Sequence, residues 1–170
     1  ALGQEVGVAD VHINRADIRI EQKHYSEARE NIQIALGILK ALNDKKWYLK
    51  WATALNVSAG LYRKLDCFDE AINELEQAKS LSEEINDIKG LSDLYNNFGI
   101  AHMQCGKLLS LDGAPEAIQQ FKEAEKYFRI HLETIGEIEE RPKKWFEDNG
   151  FYTDSKIWSQ FPPNDSPDWK

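Results

Sequence analysis

The side chains with the most intrinsic reactivity in this sequence are four histidines, two cysteines and a few adjacent carboxylates. His12, His24, His102 and His131 are scattered at no metal-ligand spacing. Each reads as a packing or surface residue, although His12 and His102 fall on segments that would reach a groove. Cys67 and Cys105 stand 38 residues apart with no C-x-x-C pairing, the pattern of neither a zinc framework nor a disulfide scaffold. Buried reduced thiols are the plainer reading. The carboxylate pairs Glu83-Glu84 and Glu139-Glu140 sit at the ends of helical patterns and read as solvated charge. There is no G-x-G-x-x-G, Walker loop, G-x-S-x-G or H-E-x-x-H. The expectation is therefore a non-enzyme, with no catalytic residue, no metal site and no cofactor.

Composition narrows the partners. The 170 residues are 42% hydrophobic and 29% charged, with a formal net charge of −8. An acidic chain has no global attraction for phosphate backbones or anionic lipid, so neither nucleic acid nor membrane is expected as a partner. Aromatic residues are not interleaved with basic patches, as stacking on single-stranded nucleic acid would need. No window approaches the ~18–20 consecutive apolar residues of a membrane span, and ALGQEVGVAD lacks the features of a signal peptide. A cytoplasmic address is the default expectation.

The elements that must position any site come from an internal repeat. HYSEARENIQIAL (24–36), CFDEAINELEQAK (67–79) and GAPEAIQQFKEAE (113–125) each carry an acidic residue, Ala, an apolar residue four places on and Ala three further. Spacings of four and three put Ala28/Ile32/Ala35, Ala71/Leu75/Ala78 and Ala117/Phe121/Ala124 on one helical face. Small residues there let two helices approach closely. Each stretch follows a companion helix, 11–23, 52–65 and 93–105, with Ala16, Ala59 and Gly99 at equivalent places, 43 and 40 residues apart. A third echo, ALGQ, ALND and EIND, puts Gly3, Asn43 and Asn86 where a helix is expected to stop, since Gly and Asn tolerate a left-handed helix end. Helices are expected near 5–22, 25–42, 46–65, 68–86, 88–109 and 115–140. The extra residues between Cys105 and Ala117 are expected to lengthen a helix and widen its turn, with Pro115 opening the next one.

These residues resemble the tetratricopeptide repeat family. The Y-x-E-A signature stands at Tyr25–Ala28, its F-D-E-A relative at Phe68–Ala71 and a P-E-A variant at Pro115–Ala117; the first-helix pattern is clearest around Asn56–Tyr62 and Asn96–His102. The first hairpin departs from the pattern, with Arg15 and Arg19 where the family prefers Leu and Tyr. The period near 40 resembles the longer-spaced members found in bacterial regulators, signalling ATPases and the kinesin light chain. The resemblance implies an all-α fold, a right-handed superhelical stack of three antiparallel helix hairpins over 1–141 (about 5–42, 46–86 and 88–140). The aromatic, proline-rich segment 142–170 would form a C-terminal cap and tail, or dock in the groove or on a partner.

The resemblance also implies a groove lined by the first helix of each pair. It would be formed by Asp10, Ile13, Asp17, Ile20 and Glu21, then Thr53, Asn56, Arg63 and Lys64, then Asp93, Asn96, Ile100, Met103 and Gln104, with Asn14 and Asn97 beside them. Asp17, Asn56, Arg63, Lys64, Asn96, Asn97, Ile100 and Met103 are the candidate partner-binding residues. Asn is a mediocre helix former whose amide offers donors and an acceptor. The asparagines either clasp a peptide backbone or tie neighbouring helices together. Arg63 and Lys64 either anchor an acidic group or form an ordinary surface pair. The specific Lys/Asn set with which some relatives grip a C-terminal carboxylate does not map, because Ile13 and Asp17 stand in its places.

The expected function is a protein-protein interaction module within a larger protein, ALG reading as the end of a preceding helix. The alternative is a regulatory domain that senses a peptide or ligand and controls an attached effector. Weak end-to-end self-association through Trp47, Tyr48 and Trp51 is a further reading of that cluster, core packing between hairpins being the plainer one.

Overall fold

A computed structural model describes residues 2–135. These residues form six α-helices: α1 (Leu2–Glu21), α2 (Tyr25–Leu42), α3 (Tyr48–Lys64), α4 (Phe68–Glu84), α5 (Ile88–Leu111) and α6 (Glu116–Thr134). A 3-10 turn, Lys45–Trp47, leads into α3, and there is no strand among the described residues. The most extensive packing joins α1 to α2, α3 to α4 and α5 to α6, so the chain is all-helical and built from three helix pairs. The second helices α2 and α4 also pack on the next first helix, and α1, α3 and α5 touch in succession. No described helix is long and apolar enough to cross a membrane. The expected end of the last helix near 140 and the cap over 142–170 lie outside the described residues.

Local chemistry explains the boundaries. Between pairs the chain leaves the helix through a left-handed asparagine, Asn43 (φ 40°) and Asn86 (φ 54°), as the echo of ALND and EIND led one to expect. The following aspartate starts the next element: Asp44 Oδ1 accepts from the Lys46 backbone N–H, and Asp87 Oδ1 from that of Gly90, both at 3.0 Å. Gly3 breaks the analogy. It lies inside the first turn of α1 rather than at a helix stop, where glycine costs only about 1 kcal/mol relative to alanine. Within pairs the turns use left-handed Lys23 (φ 62°), Asp66 (φ 57°) and Gly113 (φ 68°). The insertion before Ala117 does lengthen a helix, since α5 has 24 residues against 17 for α3.

The repeated small residues form the core. Ala28, Ala35, Ala71, Ala78, Ala117 and Ala124 are all buried, as are Ala16, Ala59 and Gly99 opposite them. Close crossing concentrates dispersion contacts from the larger neighbours, Ile32, Leu39, Leu75, Phe98 and Phe128. Complete burial of such a side chain stabilises the fold by about 1.5–3 kcal/mol. Trp47 and Trp51 pack against the buried Ala9, Ile13, Ala35, Leu39 and Ala54 between the first two pairs, while Tyr48 meets Trp51 edge-on at 6.1 Å.

Candidate functional site

The three first helices present one polar face, and the contacts across it show their register. Lys50 Nζ on α3 donates to Asp10 Oδ2 on α1 at 2.6 Å, and Lys64 lies 3.9 Å from Glu21. Asn97 Nδ2 on α5 donates to Asn56 Oδ1 on α3 at 2.8 Å. Partners rise together along the sequence, so α1 and α3 run parallel. Exposed pairs such as Glu21–Lys64 contribute little, ~0–1 kcal/mol. The half-buried amide pair is better placed, at about 1 kcal/mol.

The candidate residues separate into those engaged in holding the helices and those left open. Asn56 and Asn97 tie α3 to α5, and Lys64 reaches back to Glu21. Asp17 is exposed on α1, and Asn96, Ile100 and Met103 are half-buried on α5. Among the described residues no hydrogen bond or ion pair joins these four to one another or to Arg63. Ile13 and Ile20, expected as open groove positions, are buried. They sit in clusters that include Ala54 and Leu61 of α3. Their counterparts 43 residues on are Asn56 and Arg63, so a position apolar in the first pair becomes polar in the second.

Arg63 and Gln104 stand out on this face. The Arg63 Nε and the Gln104 Oε1 are both enclosed and without a hydrogen-bond partner. Burial pushes the Arg63 pKa down, yet a guanidinium stays charged at neutral pH. The cation is thus partly stripped of water, and no carboxylate pairs with it among the described residues. The two residues share the 41-residue offset of the Asn56–Asn97 pair, two helical turns further on, yet no hydrogen bond joins the Arg63 Nε to the Gln104 Oε1. One turn before Arg63 on α3, Gly60 leaves open space: a Cβ built there meets nothing within 4 Å. Around Arg63 the face therefore carries a partly desolvated cation without a carboxylate and a gap in the helix surface.

Three histidines work inside the pairs. His12 Nδ1 donates to Asn31 Oδ1 at 2.7 Å, while the same asparagine's Nδ2 donates to the Glu27 carbonyl. His102 Nδ1 donates to Gln120 Oε1 at 2.8 Å and stacks on Tyr127. His131 Nδ1 donates to the Ser92 carbonyl at 2.8 Å. The scattered positions gave no sign of this shared task, since each partner lies 18 to 39 residues away. Among the described residues no three His, Cys, Asp or Glu side chains gather as a metal site would require. Cys105, half-buried, has its thiol pKa pushed up by burial and then by Asp69. Glu74 on α4 is likewise raised by burial, against a hydrogen bond from Ser58 that lowers it.

No protein-family model matches the chain, and neither a curated protein nor a solved structure does.

Proposed function

We propose that the chain is a non-catalytic protein-interaction module of the tetratricopeptide type. In this reading its three helix pairs stack into a right-handed superhelix, and a segment of a partner protein lies along the concave face of α1, α3 and α5. The observation that carries the reading is Arg63. A partly desolvated guanidinium without a carboxylate, with the open surface at Gly60 one turn before it on α3, suits an extended peptide. The peptide would offer a carboxylate or backbone carbonyl to the Arg63 guanidinium. Asp17 and Asn96 would flank the path, with Ile100 and Met103 supplying apolar contact. Asn56, Asn97 and Lys64 would act by holding the helices in register.

The test is selection from a random displayed-peptide library on the wild-type protein and on an Arg63→Glu/Asn96→Ala variant with unchanged circular dichroism and melting. Enrichment of related acidic peptides on the wild type alone is expected. Equal enrichment on both proteins, or none on either, would remove this face as the working surface.

A further inference from the structure

The far side of α1 carries a stripe that the equivalent helices bury. Aligning Ala16 with Ala59 and Gly99 places Val11, Arg15 and Ile18 of α1 at the positions of Ala54, Ser58 and Leu61 on α3. The same alignment gives Leu94, Phe98 and Ala101 on α5. All six of those counterparts are buried. The apolar counterparts pack on the second helix of the preceding pair, while Ser58 also meets Glu74 of α4 and Phe98 also stacks on Tyr127 of α6. Ala54 clusters with Ala35 and Leu39 of α2, and Leu61 with Ala28 and Ile32. Leu94, Phe98 and Ala101 cluster with Ala71, Leu75 and Ala78 of α4.

On α1 the stripe is bare. Val8, Val11 and Ile18 are 47%, 55% and 56% exposed. They lie along one side of the helix over about 15 Å. Arg15 between them is exposed and makes no ion pair among the described residues. Single exposed aliphatic residues are ordinary on any surface. Three on one stripe, two of them (Val11 and Ile18) at places where both sister helices are covered, form an unfilled interface.

We infer that this stripe is the seat of one more helix carrying the face of α2 and α4: Ala, an apolar residue four places on, Ala three further, and a carboxylate to meet Arg15. The occupant is the second helix of a further pair of the same kind in the same polypeptide, laid on α1 as α2 is laid on α3. The small residues are required because the sister interfaces close on alanine at Ala35, Ala54, Ala71 and Ala101. The carboxylate follows from Arg15, which would otherwise lose water without compensation. This seat lies on the side of α1 away from the polar face, so it stands or falls independently of peptide binding there.

A tandem chain tests the seat directly. Residues 1–47 are run straight into residues 5–170, which keeps the 43-residue register and supplies a copy of α2 to the second copy of α1. Val11→Glu/Ile18→Glu is then introduced into that second α1, and separately into the 170-residue chain. The expected result is a melting temperature for the tandem chain at least roughly 5 °C above that of the 170-residue chain, with the gain abolished by the two glutamates. In the 170-residue chain the same substitutions should leave melting unchanged. A tandem chain that melts no higher, or that ignores the glutamates, overturns the inference. So does a dimer of the 170-residue chain, seen by light scattering and dispersed by the glutamates, which would give the stripe to a second copy.

Discussion

Replacing Gly99 by alanine adds one methyl group where α5 crosses α6, and the structure sets the sign of the effect. A Cβ at this position would stand 2.7–2.8 Å from three ring atoms of Phe128, against a carbon–carbon optimum of ~3.5–4.0 Å. The ring is only 1% exposed and so has no free volume into which to retreat. Helix propensity by itself favours alanine by about 1 kcal/mol. Forcing a methyl group into a packed crossing costs about 1–3 kcal/mol, and this contact lies at the upper end because ring or backbone must move by about 0.7 Å. The net expectation is a loss of about 1–2 kcal/mol, a fall in melting temperature of roughly 2–8 °C. Urea unfolding followed by circular dichroism measures it. The control is Phe128→Leu, which removes the ring face. In that background Gly99→Ala should be neutral or stabilising, giving a coupling of about 2 kcal/mol between the sites. If Gly99→Ala stabilises the wild type, or has the same effect in both backgrounds, the crossing is not closed on that glycine and the reasoning fails.

At Gly60 the same substitution should act in the opposite direction, since a Cβ there meets nothing. Gly60→Ala is expected to stabilise by about 0.5–1 kcal/mol in the same urea assay while weakening any peptide held on that face. Asn97→Ala should cost about 1 kcal/mol by removing the donor to Asn56. Adding Asn56→Ala should cost little more, and a double-mutant cycle reads the difference. For Glu74 the sign follows from its raised pKa: the folded state holds the proton more tightly than the unfolded chain. Its contribution is therefore fully present below the ordinary carboxylate pKa and is lost as pH rises through the raised value. Glu74→Gln removes this loss, so the variant should gain stability relative to wild type as pH rises above the ordinary carboxylate pKa of about 4, measured by melting at a series of pH values. A difference that does not vary with pH would show that Glu74 is solvated in the folded protein.

Sequence periodicity located the helices because the 3.6-residue spacing is a property of each segment alone. The alanine triplets, the small residues opposite them and the left-handed asparagines were likewise legible, since steric demand at a crossing or a helix end selects residue type directly. The misreadings share a cause. Gly3 resembles Asn43 and Asn86 in its local letters but lies within α1, because glycine in a first helical turn is tolerated as readily as at a stop. The family resemblance implies an open-groove position for Ile13 and Ile20, although their apolar chemistry favours the burial they show.

What the sequence determined by itself is the all-helical class, the pairing of helices and the small-residue crossings, all governed by contacts near in the chain or repeated along it. The tertiary structure alone decided which asparagines spend their amides on each other, which histidines bridge a pair and which guanidinium is partly buried without an anion. It also decided that Gly99 is closed and Gly60 open, though both are glycines on first helices. These outcomes depend on where side chains about 20 to 40 residues apart meet. That meeting is set by how two helices slide and rotate on their shared small residues, a degree of freedom that no single helix encodes.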